Sequence, residues 1–293
     1  MKSRFTSIAV TICLLFFFSG IGICQDKASA SDCVDQIGQG NINWSTGYVE
    51  AVGIGALPDN LIKKINARPI ALREAKVDAL RNLLEITKGV QVDSAKSVKD
   101  FTAGDDVVDT QISGLVKGAE LVDYQYMPDS RAEVKMRIPI YGNLARIIMP
   151  LTMAKPYTAT ALNETAPAPI VKAPAAQFVP VVYTGVIVDA RGIQARPAMS
   201  PRIFDEDGTE VYSLSKVDIE YAIKEAVSGY TRDLTAAQTN QRVGANPITV
   251  KALGISGPGK SDIIISNGDA RQIRSSAESA SFLKQCKVVI VLD

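Results

Sequence analysis

Between Pro69 and Gly89 the apolar residues Leu72, Ala75, Ala79, Leu83 and Ile86 recur at helical spacing and predict one buried helix face. Arg73, Lys76, Arg81 and Lys88 fall off that face, Pro69 suits the first turn, and Gly89 supplies a stop. Ahead of the helix, Trp44 to Ile54 has strand character. After it, Val90 to Val98 is expected to form another strand. Residues 119–127 and 132–140 predict a hairpin turning at Met127-Pro128-Asp129-Ser130. In its second arm Val134, Met136, Ile138 and Ile140 alternate with Glu133, Lys135 and Arg137, the pattern of a strand with one buried face. The expectation for residues 40–150 is therefore α+β, one helix on a small, largely antiparallel sheet.

Over residues 151–178 both periods disappear and proline and alanine dominate, which predicts an extended linker. Residues 179–293 then read as a second α+β unit. Strands are expected at Val181–Val188, Pro201–Phe204, Glu210–Tyr212, Ile248–Leu253, Asp262–Ser266 and Lys287–Leu292. Helices are expected at Ile219–Val227, Leu234–Gln241 and Asn267–Leu283. Asp207-Gly208 marks a hairpin turn. Two small domains, each with helices packed on a mixed or antiparallel sheet and joined by a Pro/Ala-rich linker, suit a chain of 293 residues.

Composition narrows the function more than the fold. Hydrophobic residues at 46% and charged residues at 22% supply a core and argue against global disorder. Lysine plus arginine (32) balance aspartate plus glutamate (31), so nothing electrostatic points to nucleic acid. Histidine is absent, which excludes Ser-His-Asp and Cys-His catalysis and His-ligated metals. Lys2 and Arg4 precede the apolar run Ile8 to Ile23, and Ala28-Ser29-Ala30 has the form of a cleavage site, so residues 1–30 are expected to be a signal peptide. Ile21-Gly22-Ile23-Cys24 leaves lipidation of Cys24 as an alternative to cleavage after Ala30, and an uncleaved anchor as a third. No later apolar run is long enough to span a bilayer. In an oxidising compartment Cys33 and Cys286 form a disulfide, or stay as an exposed Cys33 and a buried Cys286; both readings stand open.

Three stretches carry candidate chemistry. Gly254-Ile-Ser-Gly-Pro-Gly259-Lys260-Ser261 matches the phosphate-binding pattern G-x-x-x-x-G-K-[ST], but the mechanism needs a helix starting at Lys260-Ser261. The β-branched run Ile263-Ile264-Ile265 leaves no room for one, so a glycine-rich strand connection is expected. Asp205, Glu206, Asp207 and Glu210 suggest calcium, but Gly208 sits at the wrong position for a calcium loop and a turn is the better reading. Asp189, Arg191, Arg196 and Arg202 lie in or beside a turn-rich loop where exposed guanidinium groups grip a carboxylate or a glycan, or pair locally with Asp189 and Asp205. No catalytic residue, cofactor site or metal site stands out.

The stretches ARPIALREAKVDALRNLLEITKGVQVDSAKSVKD (67–100) and YQYMPDSRAEVKMRIPI (124–140) resemble the twenty-kilodalton outer-membrane lipoprotein family and the N-terminal domain of FlgT-type flagellar H-ring proteins. The resemblance implies a Gram-negative envelope location and a non-catalytic role in assembly or surface interaction. Ile23 departs from the clean lipid box of the lipoprotein members. The segment YTGVIVDARGIQARPAMSPRIFDEDGTEVY (183–212) looks like a recurring module of exported bacterial proteins without an assigned activity. The functional expectation is an exported, non-enzymatic structural component or assembly factor of a periplasmic or outer-membrane complex. Its partners are envelope proteins, flagellar or outer-membrane among them. The alternative is a small-ligand or peptidoglycan-binding module centred on Asp189, Arg191 and Arg196, and a third is an envelope hydrolase without histidine.

Overall fold

The computed structural model describes residues 30–57, 67–129, 131–154 and 182–293, the side chains of 277–280 excepted. The expected signal segment through Ser29, its Cys24, Ser130 of the hairpin turn and linker residues 155–178 lie outside the described residues. Among those described, seven α-helices and two sheets of five and seven strands make an α+β protein.

The first half is built on strands β1 (Val34–Ile37), β2 (Gly40–Asn43), β3 (Tyr48–Gly55), β4 (Glu120–Tyr126) and β5 (Ala132–Pro139), all antiparallel in the order β1-β2-β3-β5-β4. Helix α1 (Ala67–Lys88) lies across β3 and β5 and buries Ala71, Ala75, Ala79, Leu83 and Ile86; Leu72 sits half-buried at the edge of that face. Alanine on the helix meets glycine on the strand. A Cβ on Gly53 would overlap the Ala79 backbone nitrogen, and one on Gly55 the Ala71 carbonyl oxygen, so the helix rides directly on the strand backbone. Val134, Met136 and Ile138 of β5 fill the space beside it, as the alternation predicts.

Four local expectations are corrected here. Val90 to Val98 is a loop: the Asp93 carboxylate accepts from the Ala95 and Lys96 amides, turning the chain and leaving only a Gln91–Ser97 bridge. Two helices follow it, α2 (Val98–Thr102) and α3 (Asp106–Lys117), where a further strand and a loop were expected. Asp105 caps α3 by accepting from the Val107 and Val108 amides. Helix α4 (Ala145–Ala154) passes through Pro150, so residues 151–154 are helical rather than linker. The carbonyl that Pro150 deprives of a partner belongs to Arg146, on the exposed side, where water replaces the lost bond.

The second half contains β6 (Gly185–Asp189), β7 (Arg202–Phe204), β8 (Glu210–Tyr212), β9 (Gly229–Thr231), β10 (Pro247–Ser256), β11 (Asp262–Ile265) and β12 (Val288–Val291), with helices α5 (Ile219–Glu225), α6 (Leu234–Gln238) and α7 (Asn267–Ala280). The sheet runs β8-β7-β11-β10-β6-β12-β9 and is mixed. β10, β6, β12 and β9 are parallel neighbours, while β10–β11 and β7–β8 are antiparallel hairpins. Ile187, Val289 and Val291 face α6 in a small separate cluster. Val186, Val188 and Ile290 face the opposite way and join one buried cluster that runs into the first half. Among the described residues no helix is long and apolar enough to cross a membrane.

Candidate functional site at the join of the two halves

The loop between α1 and α2 is the element that reaches furthest into the second half. Its Gln91 and Val92 carbonyls accept from the Met199 and Ser200 amides at 2.9 and 2.7 Å. Its Ser94 carbonyl accepts from the Gly259 amide at 2.6 Å, and the Ser94 hydroxyl donates to the Ser256 carbonyl at 3.1 Å. Gly257 and Gly259 belong to the stretch that imitates a phosphate loop. They form the turn of the β10–β11 hairpin, with no helix after Lys260-Ser261, as the β-branched run predicts. A Cβ on Gly257 would strike the Ser94 side chain, and one on Gly259 would lie 2.8 Å from the Ser94 carbonyl oxygen. The glycines make room for a protein loop.

A second contact closes the opposite side. Trp44 and Tyr230 stack edge to face with ring centres 5.9 Å apart. The Ser45 hydroxyl donates to the Tyr230 carbonyl at 2.7 Å and accepts from the Cys33 amide at 2.8 Å. The Tyr230 hydroxyl bonds both the amide and the carbonyl of Ala198. Beyond it, the Ser31 carbonyl accepts from the Arg232 amide and the Thr231 hydroxyl.

Between these contacts lies a charged centre. Arg202 on β7 and Asp262 on β11 form a two-point ion pair, Nε to Oδ1 at 3.1 Å and a second, shorter bond from Nη2 to Oδ2. The Asp262 side chain is fully buried, and the Arg202 guanidinium also lies over the Phe204 ring. Burial, with the Asp93 carboxylate adding to it, pushes the Asp262 carboxyl above the usual carboxylate range against the pull of Arg202. In front of the pair opens a cleft of about 260 Å3 lined by Asp93 from the first half, Thr152 and Met153 from α4, and Ser200, Arg202, Glu210, Ser213, Leu214 and Ser215 from the second. Glu210 Oε1 accepts from the Ser213 and Ser215 hydroxyls at 2.6 and 3.0 Å. A larger, shallower recess of about 520 Å3 lies near Tyr230, but its Arg242 guanidinium is spent on the carbonyls of Glu225, Ala226 and Cys286.

The residues singled out from the sequence do not converge. Asp189 pairs with Arg191 at 2.8 Å and with Lys251 at 3.3 Å. Bonding from Arg191, helped by Lys251, holds its carboxyl down at about 2. The loop backbone is tied to the Asp293 carboxylate through the Gly192 and Gln194 amides. Arg196 is exposed, with its amide bonded to the Lys260 carbonyl. Arg202 leaves this loop for β7 and faces Asp262. Asp205 closes a turn by accepting from the Asp207 and Thr209 amides and pairs with Arg274 at 2.8 Å, so the acidic run is a turn as expected.

Cys33 and Cys286 are both buried and both free thiols, so neither the disulfide nor an exposed Cys33 is observed. The N-terminal segment folds back under Trp44 and covers Cys33. Burial pushes the Cys33 thiol to about 12 and the Cys286 thiol to about 11. Asp93 and Asp262, central to the join, had weak sequence signals: each is a single acid at the edge of an apolar run. Among the described residues no group of three or more Cys, Asp and Glu side chains is arranged to hold a metal ion.

Residues 185–293, which span the whole seven-stranded sheet, match the family described as Treponema pallidum Tp0624, second domain. The second half is thus similar to a recurring module, as its sequence suggests. No curated protein matches the chain.

Proposed function

We propose that this is an exported, non-catalytic protein of the bacterial envelope, a structural component or assembly factor of a periplasmic or outer-membrane-associated complex. The observation that carries this reading is strand β4. It is an edge strand, all seven of its residues are exposed, and four of them are large and apolar: Leu121, Val122, Tyr124 and Tyr126. Leu121, Tyr124 and Tyr126 pair across from the buried Met136, Val134 and Ala132, so they continue the helix-covered face past the edge of α1. Only Arg68 reaches over, its guanidinium 5.5 Å from the Tyr126 ring centre. A long apolar edge offers free backbone groups and side-chain contacts to an incoming strand, the mode by which extended partners add to a sheet.

Further support comes from the resemblance of residues 67–100 and 124–140 to outer-membrane lipoproteins and FlgT-type domains, which frames the partner as an envelope protein, flagellar or outer-membrane. The matched family is by its description a second domain, and here too the module follows another folded unit. The basic, apolar and small-residue order of the N-terminus agrees with export.

The test is a photo-crosslinking residue at Tyr124 in growing cells, with fractionation of the same sample. One stoichiometric envelope partner, lost when Leu121 is changed to Lys, is the expected result. A chain that stays in the cytoplasm, or forms no adduct at Tyr124, refutes the reading.

A further inference from the structure

The cleft at the join has a composition that none of the foregoing uses. The Arg202 charge is already committed to Asp262, so two further carboxylates, Asp93 and Glu210, face the same space without a cation of their own inside it. Lys216 reaches only the Glu210 carbonyl from the exposed side. Asp93 is the sharper case. It is 4% exposed, its Oδ1 is occupied by the Ala95 and Lys96 amides, and among the described residues its Oδ2 has no hydrogen-bond partner. A buried carboxylate oxygen with nothing to accept from is costly unless something arrives to donate. The raised Asp262 carboxyl next to it reports the same excess of negative charge.

We propose that this cleft binds a small aliphatic primary amine, its ammonium held between Asp93 and Glu210 and its hydrocarbon stem against Leu214 and Met153. An ammonium carries three donors, which match two carboxylates and a neighbouring hydroxyl such as Ser200. A volume of about 260 Å3 lies below the range of drug-sized ligands, so the occupant is small. A divalent metal fits less well, because no third acidic or thiol side chain converges with the other two. An anion would meet the same two carboxylates. The inference does not depend on the envelope role, since it concerns a different surface from β4.

The experiment is calorimetric titration of the purified full chain with 1,5-diaminopentane, with 1,5-pentanediol as the uncharged isostere and glutarate as the anion. The diamine is expected to bind and the other two to give no heat. Asp93→Asn keeps an oxygen for the Ala95 and Lys96 amides and Glu210→Gln keeps one for the two serines, so both variants are designed to fold. Each is expected to weaken the diamine by about tenfold or more, since each removes a charge-assisted bond. Unchanged melting of the two variants, checked in parallel, separates lost binding from lost structure; if one melts early, the other carries the test. Equal binding of diamine and diol, no diamine binding up to millimolar concentration, or undiminished binding in the folded variants overturns the proposal.

Discussion

The contact between the Ser94 loop and the Gly257–Gly259 turn can be tested with one methyl group. Gly257 sits at φ +75°, so alanine there would combine backbone strain with collision. Gly259 has no positive φ, which makes Gly259→Ala a cleaner test of the contact alone. Its new Cβ would lie 2.8 Å from the Ser94 carbonyl oxygen, 2.9 Å from Gln91 Nε2 and 3.1 Å from the Ser94 carbonyl carbon. Two of those three atoms are backbone and cannot swing aside. Overpacking of this kind costs about 1–3 kcal/mol. Displacing the Gly259–Ser94 hydrogen bond adds about 1 kcal/mol. The expected loss is therefore about 2–4 kcal/mol, or a urea midpoint lower by about 1 M for a slope near 3 kcal/mol/M. Trp44 is the sole tryptophan of the chain and lies buried at the same join, so its emission reports unfolding and undocking together. Gly254→Ala, on the same hairpin with nothing within 4 Å of its Cβ, is the control and is expected to stay within about 0.5 kcal/mol. If the two variants unfold at the same urea concentration, the turn is not packed on Ser94 and the reading of its glycines is wrong.

Three other outcomes follow from the geometry. Arg202→Met leaves Asp262 buried without its cation and is expected to cost about 3–5 kcal/mol at pH 7. Because burial already raises the folded-state Asp262 pKa above its unfolded value, the stability tied to its proton is present below that unfolded value and lost as pH rises through the folded one. Removing Arg202 moves that loss to higher pH, so the gap to wild type should narrow between pH 7 and pH 4.5; a gap that widens on acidification would contradict the assignment. Cys33 and Cys286, buried with raised pKa, should resist a thiol reagent at pH 7.5 until denaturant is added, as peptide mass spectrometry would show. Tyr124→Lys on the uncovered β4 edge should shift the melting midpoint by no more than about 0.5 kcal/mol while abolishing crosslinking there; a strongly destabilised variant would mean that the edge is packed.

How much of this was legible in the sequence depends on whether an element is specified locally. Helix α1 and the β4–β5 hairpin were, because each buries one face whose period is written in consecutive residues. So were the strands from β6 to β12, short apolar runs bounded by turn residues. Helix α3 was legible too, in Val108, Ile112 and Val116 at one-turn spacing behind the Asp105 cap, and was passed over because Gly104 and three aspartates read as a loop. The 90–98 misreading has a different origin. Val90, Gln91, Val92 and Asp93 alternate like a strand, but Asp93 bends the chain onto its own carboxylate, and the carbonyls that would have paired in a sheet are used by Met199 and Ser200. Such a partner, more than a hundred positions away, leaves no local period. The Arg202–Asp262 pair was hidden for the same reason: parallel strands β7 and β11 bring together residues that the sequence separates by three elements.

That non-local origin also explains where the candidate site falls. Gly257, Gly259, Asp262, Arg202 and Glu210 all belong to the stretch matched by the second-domain family, whereas Asp93, Ser94 and Thr152 come from the half that it does not cover. The recurring module thus supplies a glycine turn, a buried ion pair and one wall of a cleft. The opposite wall is supplied by whatever loop is docked against it. A turn with two glycines and no side chain to fill it is a poor surface to leave in water, but a good socket for a backbone that approaches closely. Asp93 arrives with that backbone, and only then do the carboxylates outnumber the cation between them. Any chemistry of the cleft is accordingly a property of the paired halves. The loop that turns at Asp93, more than the sheet beneath it, decides what the cleft accepts.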